Sequence, residues 1–389
     1  MTVIVENSST NILYYDSLVG EIKTSADFLR TKRKITGNDL DAYLENKLLN
    51  LRSPGTYRLI TNAFAVPPKT RWSLSKDTYT YHSELHSRPA PVHATLETLE
   101  RSALSYLEKY STLPITVECS GGLDSSIIIE FLLSHDFNIC LSGFTSDRYE
   151  FRTERKIQEF YFSKVKSSIS LSYESCGAFD DLKQAPLHPL PAQESLSHKR
   201  HHVAANATLA LNSKLLLSGE AGDQLLGIRP KNIIKGANIP AGYYYWSLAE
   251  KWSDQFVYND KGVDYISALA IGSLPRQIIS MRAGLGEDHM KIWARNILKD
   301  KLPEMLTKYA YKAFHDGWVM DGLVSVLDDI AELGKTTYEY LGHPEIHPDI
   351  LVADSLTYKS MPSDLKIRYL GRLAFATWIY SLARDDKLI

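Results

Sequence analysis

Residues Ser120-Gly121-Gly122-Leu123-Asp124-Ser125-Ser126 stand between an apolar strand-like run, Pro114 to Cys119, and a helix-like run, Ile127 to Leu133. That order predicts a strand, a glycine turn and a helix N-terminus. The two glycines let the main chain pass close to a bound anion, three hydroxyls are available to phosphate oxygens, and the first helical amides add the positive end of the helix dipole. Asp124 would repel a bare phosphate at that position. Its carboxylate therefore reads as a ligand for Mg2+, a hard cation that commonly bridges carboxylate oxygen and nucleotide phosphate. The stretch lacks the Gly-Lys-Ser/Thr close of a Walker loop, so the expected ligand is Mg-ATP in a loop of another kind.

Outward from this stretch the same order repeats. Strand-like runs at Pro114 to Cys119, Asn138 to Phe144, Ser168 to Tyr173 and Lys214 to Ser218 alternate with helix-like runs at Ser125 to Ser134, Thr153 to Val165 and Glu194 to Leu211. Apolar strands separated by helices predict an α/β fold, a doubly wound parallel sheet with its ligand at the strands' carboxyl ends. A helix from about Val92 to Tyr110, with Leu96, Leu99, Leu104 and Leu107 at helical spacing, leads into it. The fourth strand-like run ends in Gly219-Glu220-Ala221-Gly222-Asp223-Gln224, again a strand end, a glycine turn and a carboxylate pair. One carboxylate of such a pair can be clamped by metal while the other stays free to accept a proton. From Gly242 onward apolar residues recur at helical spacing along Ser247 to Gln255, Val263 to Ile271, Met290 to Leu298, Leu323 to Leu333 and Leu370 to Leu382, predicting a helical C-terminal cap.

The chain has 389 residues, 44% hydrophobic and 23% charged, which suits a soluble enzyme of two domains with a sizeable core. A net charge of -2 gives no basic field, so nucleic acid is not implied as a partner. Cys119, Cys140 and Cys176 form no C-x-x-C pair and imply a reducing compartment without disulfides or zinc. No apolar run approaches the roughly 18 residues that span a bilayer, and no signal pattern opens the chain, so the expected location is the cytoplasm, with no membrane partner.

Residues 1–91 mix short strand-like pieces (Val3 to Val5, Ile12 to Tyr15, Tyr57 to Ile60) with one amphipathic helix from Asp39 to Leu51 and end in a linker near Ser87 to Pro91. They read as a small N-terminal α+β domain ahead of a synthetase domain at 92–389.

The Ser120 to Ser126 stretch resembles the PP-loop of the ATP pyrophosphatases, the adenine nucleotide alpha hydrolase type. The turn at Gly219 to Gln224 resembles the Gly-Glu-Gly-x-Asp-Glu turn of asparagine synthetases, with the second glycine moved one place and Gln224 in place of the final Glu. Together the motifs make residues 92–389 similar to an asparagine synthetase-like domain, a family that includes β-lactam synthetases and the macrolactam synthetases of lasso peptides. The order of Thr56 to Ile60, Val66 to Lys69, Trp72 and Tyr79 to Tyr81 loosely follows the stretch that closes that family's N-terminal domain.

The resemblance implies ATP and Mg2+ as cofactors, with Ser120, Gly121, Gly122, Leu123, Asp124, Ser125, Ser126 and Gly219 around the polyphosphate. Thr145, in the loop to Asp147, falls where adenosine is gripped. Asp124 and Asp223 would hold Mg2+, Glu220 would sit beside the attacking amine, and Glu154 falls where a family acid opens a helix. A family lysine that stabilises charge on the adenylated intermediate follows an Arg by about sixteen positions. Arg372 and Lys387 fit that approximately, without the usual prolines, and Lys312 is a rival in the wrong order. His343 to Asp349 weakly echoes the family's Pro-Phe-Leu-Asp segment. The implied reaction adenylates a carboxylate, releases pyrophosphate, and joins an amine with loss of AMP. Glutamine-dependent members expose an N-terminal cysteine. Thr2 and the short N-terminal region point instead to an amine carried by the substrate or a second substrate, as in macrolactam or β-lactam formation, with an asparagine synthetase-like amidotransferase among the alternatives. The expected partner is a carboxylate and amine substrate of peptide kind, with a precursor-peptide protease or recognition protein as the accompanying protein. A catalytically lapsed ATP-binding subunit is the reading from another class.

Three further groups have two readings each. His198, His201 and His202, at i, i+3 and i+4, read as a solvated basic helix face, with metal binding the alternative. Tyr243 to Trp246 would line a peptide cleft or pack the cap. Arg152, Arg155 and Lys156 would steer phosphate or lie solvated.

Overall fold

A computed structural model describes residues 3–7, 13–16, 20–24, 27, 30, 32–50, 63–66, 70–74, 79–84, 95–175, 177–188, 191, 193–220, 222–226, 257–258, 260–271, 274, 277–278, 291–308 and 316–389. Thr2, Tyr57 to Ile60, the Ser87 to Pro91 linker, Cys176, Tyr243 to Gln255 and Lys312 lie outside the described residues.

The centre is a five-stranded parallel sheet of strands β7 (Ile115–Glu118), β8 (Ile139–Thr145), β9 (Ser168–Ser172), β10 (Leu215–Ser218) and β11 (Asp264–Ser267), in the order β11-β10-β7-β8-β9. Helix α2 (Leu96–Leu107) precedes the sheet, and α3 (Leu123–Ser134), α4 (Arg152–Lys164) and α5 (His198–Ala210) connect the first four of these strands. Side chains alternate between the two faces of the sheet. Ile115, Val117, Leu141, Leu215 and Leu217 enter one core with α3 and α4, while Leu216, Phe144 and Tyr265 join Ala204 and Ala205 of α5 in another. Both faces are therefore covered by helices, the arrangement that apolar, two-sided strands require.

Connections run outward from β7 to β8 to β9, then return to place β10 on the other side of β7. The strand order thus reverses between β7 and β10, and in open α/β sheets the crevice at such a reversal, beyond the carboxyl ends, is where ligands bind. Both sequence motifs follow these two strands.

The fifth strand overturns one expectation. Val263 to Ile271 reads as helical from its apolar spacing, yet it holds β11, followed by a 3-10 turn at Ala268–Ala270. A short apolar run does not separate strand from helix by period alone. Pairing with the open edge of β10 decides it, and Tyr265 stacks on Tyr258 with ring centroids 4.4 Å apart. Likewise Leu323 to Leu333 breaks at Val326 into two helices.

The N-terminal region holds strands β1 (Val3–Asn7), β2 (Leu13–Asp16), β3 (Glu21–Lys23), β4 (Ala63–Val66), β5 (Thr70–Leu74) and β6 (Tyr79–Glu84), in two antiparallel sheets, and helix α1 (Gly37–Asn50). Its core is shared with the far end of the chain. Tyr15, Leu40, Tyr43 and Trp72 pack with Phe375, Trp378, Ile379 and Leu382 of the long C-terminal helix.

After β10 come the short helix α6 (Gly222–Leu226), α7 (Ile292–Ile297) and α8 (Glu304–Lys308), then α9 (Asp316–Ser325), α10 (Leu327–Leu341), α11 (Pro348–Thr357) and α12 (Ser363–Arg384). In α12 the residues opposite the N-terminal core, among them Leu373, Ala374 and Ala376, pack with Leu333 and Leu351 of α10 and α11. That helix is apolar on two faces because it lies between two cores.

Candidate active site

The loop after β7 is shaped by what its neighbours leave no room for. Gly121 has φ +76°, in the left-handed region, and a Cβ there would lie 2.8 Å from Cα of Glu154, inside the first turn of α4. Only glycine meets both demands without strain. Gly122 caps α3, and its carbonyl accepts from the hydroxyls of Ser125 at 3.1 Å and Ser126 at 2.8 Å. The Gly122 amide donates to Ser120 Oγ at 3.3 Å, and Ser120 Oγ lies 3.0 Å from Ser125 Oγ. Ser125 and Ser126 are buried and brace the turn, whereas Ser120 is exposed. Of the three hydroxyls it is Ser120 that faces outward. Leu123 is buried in the core and anchors the first turn of α3.

The second motif lies directly against the first. A Cβ on Gly219 would fall 2.8 Å from the amide nitrogen of Ser125 and 3.0 Å from Cβ of Asp124, and one on Gly222 would overlap the Asp124 carboxyl group. The Gly222 amide closes the turn on the Gly219 carbonyl at 3.1 Å. Glycines at both positions let the turn after β10 approach the Asp124 carboxylate. Glu220 is partly buried. Its amide donates to Ser218 Oγ at 3.3 Å, and its carbonyl accepts from Ser267 Oγ of β11. Asp223 and Gln224 belong to α6 by their backbone, and their side chains are outside what is described.

Two residues that the motifs did not reveal hold this region. Gln158 of α4 is buried, and its side-chain amide donates to the carbonyls of Cys119 at 2.8 Å and Phe144 at 2.7 Å, tying together the ends of β7 and β8. Lys291, which precedes α7, is buried with 4% of its surface exposed, and its ammonium donates to both oxygens of Asp124. Arg295, one turn further on, also lies in the field of Asp124, although burial lowers its pKa. A signal for Gln158 existed in the sequence, since a polar residue on the apolar face of a helix needs a partner there. Lys291 carried none.

Thr145 ends β8 one strand over from the loop. Its hydroxyl meets Ser170 Oγ at 2.9 Å and the Leu171 carbonyl at 3.3 Å, along the β9 edge. Beyond it, buried Ser146 donates to Glu174, and Asp147 pairs with Arg155 at 2.5 Å. Arg152 lies over the Tyr149 ring at 3.9 Å. Lys387 is seated elsewhere: its carbonyl accepts from the Arg33 amide at 2.8 Å, beside the parallel bridge between Arg33 and Leu388. Among the described residues, Lys291 is a lysine that meets Asp124 of the loop. Arg372 is buried and ties Asp354 of α11 to the Glu345 carbonyl, a packing role.

The histidines correct the sequence reading. His198 and His201 are buried, with 3% and 6% of their surface exposed, because α5 turns them toward the protein interior. His198 Nδ1 lies 3.2 Å from the Ser195 carbonyl, and His201 Nδ1 lies 3.1 Å from the Tyr258 hydroxyl. Burial holds His188 and His198 down at about 4. His198 and His201 are packed inside rather than solvated. Cys119 is buried too, which pushes its thiol up to about 12, out of the reactive range.

An apolar cavity of about 400 Å³ lies behind α3, walled by Leu99, Ile127, Phe131, Leu217 and Ala294. None of its described lining residues belongs to either motif.

No protein-family model and no curated protein matches the chain. Among the described residues no helix is long and apolar enough to cross a membrane, and no group of three or more metal-ligating side chains occurs. The Asp124 carboxylate nevertheless already holds a cation, the Lys291 ammonium. That donor suits Mg2+, which takes one or two carboxylates and completes its shell with phosphate oxygen and water.

Proposed function

We propose that the chain is an ATP-dependent amide-forming ligase of the PP-loop type, which adenylates a substrate carboxylate and transfers the acyl group to an amine. The observation that carries this reading is the contact of two separate motifs at the sheet's reversal point, where Gly219 and Gly222 lie against Asp124. A glycine turn between strand and helix is common by itself. Two such turns packed together, each with a carboxylate, at the crevice that α/β sheets use for nucleotides, support the reading of a polyphosphate site.

In this reading the loop amides, Ser120 and the N-terminus of α3 hold the polyphosphate. Asp124, with Asp223, would hold Mg2+, which supplies neutralisation of phosphate charge. A free carboxylate has no adequate leaving group, so adenylation precedes amide formation. Glu220, in the turn that packs against Asp124, orients the amine and receives its proton. AMP then leaves with the amide formed. The substrate class we assign is a peptide that carries both amine and carboxylate, supported by the sequence's aromatic run Tyr243 to Trp246.

Pyrophosphate exchange into ATP tests the proposal. The purified chain with Mg2+ and candidate peptides should exchange label only when a carboxylate substrate is present, with mass spectrometry showing a product one water lighter. Exchange that ignores the carboxylate, or its absence across peptide and small-molecule acids that demonstrably bind, would refute the ligase assignment.

A further inference from the structure

The cavity behind α3 has a wet mouth and an apolar floor. Ser134 at the end of α3 and Asp300 and Lys301 after α7 line it and are exposed, whereas Ile128, Leu217 and Ala268 line it and are buried. Its volume of about 400 Å³ lies far beyond the few water-sized voids of a close-packed interior. Water gains little on such a floor, because apolar walls offer it too few hydrogen-bond partners. Charge at the mouth is matched within the protein: Lys301 pairs with Glu100 of α2, joining two of the walls, and Glu130 pairs with Lys164 at 3.0 Å. Among the described lining residues Lys301 stands against three acids, Glu100, Glu130 and Asp300.

We propose that this cavity is a binding site for a neutral apolar small molecule, of roughly ten to sixteen non-hydrogen atoms on the scale by which about 150 Å³ takes benzene. A concave, mostly apolar space with a few polar groups at one end is the ordinary form of a small-molecule site. An anionic head is disfavoured there, since it would either lose its water among apolar walls or lie beside the acids of the mouth. The site stands apart from the ATP reading, because its ligand needs neither Mg2+ nor nucleotide. Its walls nevertheless belong to the elements that carry both motifs. Leu217 stands two residues before Gly219, and Ile127 three after Asp124.

1-Aminoanthracene, a neutral fluorophore of that size that brightens in apolar surroundings, is the probe. It should bind the wild-type chain saturably without nucleotide or metal. n-Decanol should displace it, and decanoate should do so about tenfold or more weakly, because its charge must be buried or set among acids. Ala103→Leu, which extends a side chain into the cavity from α2, should weaken the probe about tenfold or more, whereas Ala103→Ser, which adds little bulk, should bind it as wild type does. Absence of saturable binding would overturn the proposal, as would an Ala103→Leu protein that binds the probe unchanged. Displacement by decanoate equal to that by n-decanol would overturn the assignment of a neutral ligand. If Ala103→Leu does not fold, photolabelling of the wild type decides. A diazirine-bearing decanol, read by peptide mass spectrometry, should label the lining stretches of α2, α3 or α7, and label confined to other stretches would overturn the site.

Discussion

Replacing Gly121 with alanine should cost stability, whereas the same change at Gly122 should cost function alone. At Gly121 the left-handed φ of +76° charges alanine roughly 1–2 kcal/mol. The new Cβ would also enter the main chain of Glu154, which has no flexible end to move aside, and such overpacking costs about 1–3 kcal/mol more. The sum is about 2–5 kcal/mol. Unfolding entropy of about 2.1 cal/mol/K per residue makes roughly 0.8 kcal/mol/K for this chain, so Tm should fall by about 3–6 °C. Gly122 has an ordinary φ of -87°, and its Cβ would meet only Ser120 Oγ at 3.4 Å. Gly122→Ala should move Tm by no more than about 1 °C, yet reduce pyrophosphate exchange, since its methyl stands where an anion must approach the amides. Scanning calorimetry of both variants beside wild type is the assay. A Gly121→Ala protein melting with wild type would refute the packing argument, and a fully active Gly122→Ala protein would refute the placement of the anion.

Glu220→Gln should separate the half-reactions, keeping pyrophosphate exchange but forming amide roughly a hundred- to ten-thousand-fold more slowly, as read by product mass spectrometry. Gln158→Leu should destabilise the chain by about 2–4 kcal/mol in urea unfolding, because it orphans the buried carbonyls of Cys119 and Phe144. His188 and His198 are held near 4 chiefly by burial, and in His188 also by the neighbouring His198, so the unfolded chain binds protons that the folded one refuses. Their contribution is intact above about pH 6.5 and is lost as pH falls toward about 4, up to roughly 3 kcal/mol for each ring. Urea midpoints measured from pH 7 to 4.5 should show the fall, and His198→Gln should flatten it.

Of the four strands from Pro114 to Ser218, β7, β8 and β10 were legible because each is a run buried on both faces, with β7 and β10 ending in glycine turns, and β9 because Ser168, Ser170 and Ser172 alternate with apolar residues. β11 was not, since Val263 to Ile271 is equally apolar at either period and only the free edge of β10 selects a strand. The two motifs could be read one at a time, and only the family resemblance, which puts Asp124 and Asp223 on one metal, joined them; no local pattern carries their mutual contact. It depends on the chain returning across β7, a property of strand order. The same limit applies to Lys291, whose partner lies 167 residues away. His198 and His201 misled because charge neighbours such as Lys199 and Arg200 suggest a wet face. In the structure Lys199 reaches Asp181 at 3.1 Å and Arg200 lies over the rings of Phe144 and Trp318, leaving the histidines to the interior.

The most direct test of the account is 31P nuclear magnetic resonance of ATP turned over by the purified chain with Mg2+ and a peptide carrying both a free amine and a side-chain carboxylate. Cleavage between the α- and β-phosphates, giving AMP and pyrophosphate in step with loss of water from the peptide, is the predicted result. Formation of ADP and inorganic phosphate instead would contradict it.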